Sequence, residues 1–190
     1  MAFPRDRPTV AAHRPPDSAL TVMLVPIVVG AVVAVALGVY GRLYEPTGIA
    51  INIAGFSGAQ AAKSWLTTGA FLLAGIQLAS ALAMWGKLPG APWIPTLHRW
   101  SGRFAVLLTV PVMVHCLYAL GYQSATPRVL IHSLLGCFFF GAFTAKMLLL
   151  TRRGLPSWAI PLIGGLVFSA LVGLWLTSSL WFFTTVGVTL

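Results

Sequence analysis

Acidic residues are almost missing from this sequence. Asp6, Asp17 and Glu45 are the only three in 190 residues, against 12 lysines and arginines. None falls inside a long apolar run, so a cation or proton pathway would have few ligands, which argues against a transporter or channel. Cysteine is scarcer still: Cys116 and Cys137 both lie in apolar stretches. They form neither the Cys-x-x-Cys-His of covalent haem attachment nor a zinc spacing, and they read as small buried side chains. Charge of either sign makes up only 8% of the chain, while 58% is hydrophobic and the mean hydropathy is +0.89. A soluble domain does not have this balance. The net charge of +9 does not indicate nucleic acid, because the basic residues lie between apolar runs instead of forming a patch. The lipid bilayer, with its anionic headgroups, is their ordinary partner.

What is present is a series of long apolar runs. They predict an all-α integral membrane bundle of five transmembrane helices, with spans at about 19–40, 64–85, 97–120, 128–150 and 157–183. Residues 1–18 hold Pro4, Pro8, Pro15 and Pro16 and predict a flexible cytoplasmic tail, followed by one transmembrane domain over 19–190. Small residues recur every four positions in three spans: Gly30, Ala34 and Gly38; Gly75, Ala79 and Ala83; Gly165, Ser169, Gly173 and Thr177. Such stripes let helices approach closely. Gln77 is the one strongly polar residue in the middle of the second span and is expected to hydrogen-bond a neighbouring helix. Arg42 to Lys63 reads as a loop, with Ile49–Phe56 as a short interfacial or re-entrant segment.

Three of the four histidines sit in the hairpin of the third and fourth spans: His98, His115 and His132. An ionisable side chain within a span is expensive and reads as functional by default. His115 lies six residues before Gly121 and His132 five after Pro127. Both are therefore roughly 8 to 9 Å from the turn, at one depth on two helices. Two imidazoles so arranged suit the two axial positions of a haem iron, so His115 and His132 are the expected metal ligands of one haem b per chain. His98 is about 25 Å from His115 along the helix and rotated by about 100°. It either meets water or lipid at the opposite surface, contacts a quinone or proton relay, or ligates a second haem with Met84 or Met147.

Further residues fit around such a group. Gly136 is on the His132 face and would let a flat macrocycle approach the backbone, though helix packing explains it equally. Arg99 and Arg103 share a helix face and aim two guanidinium groups at one patch, suited to lipid phosphate, a haem propionate or a quinone site. Pro111 is expected to kink the third helix four residues before His115. No catalytic residue is assigned.

The segments Leu97-His98-Arg99-Trp100-Ser101-Gly102-Arg103 and Ile131-His132-Ser133-Leu134-Leu135-Gly136 resemble those of the transmembrane b-type cytochromes of the cytochrome b561 and ferric-reductase-like group. The resemblance covers roughly residues 64–183 and implies that the last four helices form a haem-binding four-helix bundle that passes electrons. The second and fifth spans carry no histidine, so one haem is expected where that group carries two.

With the amino terminus inside, nine of the 12 basic residues fall on the cytoplasmic side and only Arg42, Lys63 and Arg128 outside. This predicts a multi-pass protein of the cell (plasma) membrane with its carboxyl terminus outside. The expected function is electron transfer between a quinone or redox-protein partner and another acceptor, as a component of an oxidoreductase system. The alternative is a non-redox accessory or anchoring subunit. Either way the chain is expected to work within a larger membrane complex or a homo-oligomer.

Overall fold

The computed structural model describes residues 19–50, 52 and 55–190, and every regular element among them is helical. Five helices are long and apolar enough to cross a membrane: α1 (Ala19–Leu43), α2 (Ala59–Met84), α3 (Ile94–Leu120), α4 (Pro127–Leu149) and α5 (Ala159–Thr185). The protein is a multi-pass helical membrane bundle. Side chains such as Leu24, Val32 and Val35 on α1, or Leu107 and Val114 on α3, are exposed, as lipid-facing residues should be. The tail over 1–18, and part of the Ile49–Phe56 segment, lie outside the described residues.

One boundary differs from the sequence reading in a way that matters. α2 begins at Ala59 and not near residue 64, so Lys63 is on a helix and not in a loop. Ala59-Gln60-Ala61-Ala62-Lys63 are all good helix formers, and a helix satisfies their backbone groups where lipid offers no partner. Their low hydropathy had masked this turn. α4 starts where its local chemistry dictates. Pro127 takes the first turn, and the Thr126 hydroxyl accepts the Val129 N–H at 3.3 Å. Pro111 lies inside α3 without ending it.

The packing order is not the chain order. α3 packs on α2, α2 on α5, α5 on α4, and α4 on α1. The hairpin partners α3 and α4 are therefore not packed neighbours, and the space between them holds the main cavity. Beneath it lies a core of Ala70, Ala74, Phe139, Ala170 and Leu171.

The stripe on α1 seats that helix on α4. A Cβ added to Gly30 would stand 2.5 Å from the Gly141 carbonyl oxygen, and one on Gly141 would stand 2.5 Å from that of Gly30. Only glycine permits this backbone contact. The other two stripes behave differently. Gly75 and Gly165 have no atom waiting for a Cβ within 4 Å, and Ser169 is exposed, so these residues do not pack against a helix of this chain. Gly173 does, since its Cβ would stand 2.6 Å from Leu135 Cδ1. Gln77 bonds across to α3 as expected, donating to Ser101 Oγ at 2.8 Å and to the His98 carbonyl.

Candidate functional site

Two helices lose their regular pitch at the same end of the bundle. α3 finishes in a π turn over Cys116–Leu120, and α5 passes through another over Leu176–Leu180. A π turn is wider than an α turn and disturbs the regular carbonyl ladder, a device frequent at functional sites. Here carbonyls of both turns are used. Tyr118 O accepts from the Thr47 backbone N–H at 3.2 Å, and Ala119 O from that of Gly48 at 3.2 Å, which pins the loop after α1 over the end of α3. Thr177 O accepts from Arg128 Nη1 at 2.6 Å.

Between these turns lies a cavity of about 290 Å³, bounded mainly by α3, α4 and α5. Its floor is the core itself, through Phe139, Phe140, Leu171 and Leu174. His132 and Gly136 both line it. His132 Nδ1 is 2.9 Å from Thr177 Oγ1. The Thr177 hydroxyl is 2.7 Å from the Gly173 carbonyl, where its single proton has an acceptor. The hydroxyl therefore receives a bond from the imidazole, which assigns the proton to Nδ1 and leaves the Nε2 lone pair free. A Cβ added to Gly136 would meet nothing closer than Leu174 Cδ2 at 4.0 Å, so the space beside it is open.

The cavity is also positively charged. Lys63 and Arg128 line it, and no carboxylate lines it among the described residues. Arg128 is held by its bond to Thr177 O and by stacking over the Trp181 ring at 4.0 Å. Met113, Cys116 and Cys137 are the sulfur-bearing residues of its lining among the described residues. Among the described residues no three His, Cys, Asp or Glu side chains group closely enough to cage a bare metal ion.

The other expected residues go elsewhere. His115, expected opposite His132, lines a separate cavity of about 230 Å³ between the start of α2 and the end of α3. Val112 and Lys63 line both cavities, so the two adjoin, but the structure does not bring the two imidazoles into one chamber. His98 is at the far end of α3. Its Nδ1 is 2.8 Å from Ser80 Oγ, whose proton goes to the Ile76 carbonyl at 2.6 Å, the same hydroxyl lock that holds His132. Arg99 and Arg103 are exposed at that far end, with Arg103 stacked over the Trp100 ring at 4.9 Å. Neither lines the cavity.

Sequence reasoning missed Lys63, Arg128 and Thr177. Arg128 was within reach, since it precedes His132 by four residues and so shares its face. Thr177 was noticed only as a member of a packing stripe.

One family model matches residues 23–190, which takes in all of α2 to α5 and nearly all of α1. Its description is a family of unknown function, DUF6529. The chain belongs to this family. No curated protein matches the chain. No solved structure matches it either. Membership of DUF6529 thus carries no chemistry of its own, and the chemistry must come from the cavity.

Proposed function

We propose that this protein is a membrane haem b protein that transfers electrons between a quinone or redox-protein partner and another acceptor. One observation carries the reading. His132, with Nδ1 committed to Thr177 and Nε2 free, lines an apolar cavity that also holds two cations and, among the described residues, no carboxylate. The ligand that suits such a site is flat, apolar and anionic at one edge, and presents a metal to a neutral imidazole. Haem b has all four properties. The resemblance of the His98 and His132 segments to b-type cytochromes supports the same conclusion.

The residues fit the group. His132 would hold the iron through its free ring nitrogen, oriented and made more basic by its bond to Thr177. Lys63 and Arg128 would meet the two propionates with charge-assisted hydrogen bonds. Gly136 would admit the macrocycle edge, and Phe139 and Phe140 would exclude water beneath it. Met113 and Cys116 line the same cavity and are the candidates for a further protein ligand, because His115 lines the neighbouring one. When bound, the haem supplies one-electron redox chemistry; the chain supplies binding, orientation and a low dielectric. We assign one haem per chain, in the cell membrane, with the amino terminus cytoplasmic and the cavity toward the outer leaflet.

An absorption spectrum of the purified protein, with haem extracted and quantified as its pyridine complex, tests this directly. The expected result is a b-type spectrum at about one haem per chain. Protein that is folded yet colourless, and takes up no added haem, would remove the proposal.

A further inference from the structure

His115 is a half-buried imidazole inside a membrane span, and no hydrogen bond to its ring is found among the described residues. A polar ring in lipid without a partner is unfavourable, because nothing replaces the hydrogen bonds it makes in water. His98 and His132, in the same bundle, are each locked to a hydroxyl. His115 is the exception, and it lines a cavity.

That cavity has the features of a ligand site. Its volume is about 230 Å³ and its walls are mostly apolar. Pro111, Val114 and Tyr118 line it and are also exposed along the lipid face of α3, so the mouth opens sideways toward lipid. Among the described residues, Lys63 and Tyr118 are the other lining residues with a polar side-chain group. An occupant entering from lipid must be lipid-soluble. It must also bring a polar atom to the imidazole and an otherwise apolar body to fit between α2 and α3. A phospholipid phosphate suits this less well, because His115 lies more than a helical turn inside the end of α3, where a phosphate would lose its water.

We propose that the smaller cavity binds a quinone or quinol, with His115 hydrogen-bonded to a ring oxygen. The site adjoins the larger cavity through Val112 and Lys63. It thereby names the partner of the proposed electron transfer and rests on that reading for its purpose, although binding itself does not require haem.

The test uses full-length protein in lipid nanodiscs and a decyl-tailed azidoquinone as photolabel. Label is expected in peptides containing Pro111–Tyr118 or the start of α2. His115→Leu should weaken competition by unlabelled decylquinone about tenfold, the effect of one lost hydrogen bond, while His115→Gln retains most of it. Gly75→Ala, which meets open space and lines neither cavity, should leave it unchanged. Label found only in Val129–Phe140 or Leu171–Trp181, no specific label, or wild-type binding in His115→Leu would each overturn the proposal. Specific labelling of a protein without haem would uphold this site while removing the electron-transfer function. Haem without labelling would do the reverse.

Discussion

His132 of α4 is held to α5 by Thr177, whose Oγ1 lies 2.9 Å from His132 Nδ1. The backbone carbonyl of the same threonine lies 2.6 Å from Arg128 Nη1. One residue at a π turn thus fixes both an imidazole and a guanidinium of the neighbouring helix. Thr177→Val removes the hydroxyl but keeps the shape. We predict that it weakens haem retention by roughly tenfold or more, the usual effect of losing the partner of a metal-bound histidine. Thr177→Ser should retain wild-type behaviour. Titration of haem into the apoprotein measures both, and equal affinity in the valine variant would dismiss the role.

The separation of the histidines makes their variants unequal. His132→Ala is expected to empty the haem site. His115→Ala and His98→Ala should leave the absorption spectrum unchanged. Matching losses in His132→Ala and His115→Ala would show instead that the two share one iron.

Lys63 and Arg128 have no carboxylate beside them in the cavity lining among the described residues, so an anionic ligand edge should feel them strongly. Arg128→Gln is expected to weaken haem binding by about 1.5–3 kcal/mol, the range for hydrogen bonds to charged groups. Haem dimethyl ester, which lacks the propionate charges, supplies the control. Its affinity should be nearly the same for wild type and Arg128→Gln. An equal loss with the ester would trace the effect to packing against Trp181.

The α1–α4 seam and the open face of α2 predict opposite outcomes for two glycines. Gly30→Val must push α1 away from the Gly141 backbone and should destabilise by about 1–3 kcal/mol. Gly75→Ala meets open space on a helix and should be neutral or stabilising by up to about 1 kcal/mol. Thermal unfolding in one detergent compares them, and a Gly30 variant as stable as wild type would contradict the seam.

Orientation is open to a direct check. The basic residues argue for an external carboxyl terminus. A phosphatase fused after Leu190, which works only outside the cytoplasm, should be active. Activity of a cytoplasm-dependent reporter at that position would reverse the orientation.

The sequence by itself determined the quantities that depend on composition and on rise along a helix. The apolar runs fixed five membrane helices. Glycine at position 30 marked a face able to touch another backbone, and counting from the turn gave the expectation that His115 and His132 share a depth. Facing is a different matter, because each residue turns the side chain by about 100° and a helix axis can rotate without changing depth. Only the tertiary structure decided that α3 packs on α2 and not on α4, which turns His115 toward one cavity and leaves His132 in another. The same holds for α2, whose first turn carries Lys63 between the two cavities once the backbone there is helical. Thr177 and His132 are 45 residues apart in the chain. Their contact depends on how α4 and α5 pack and on the wide turn in α5, and pairing of that kind leaves no period or motif in either helix alone.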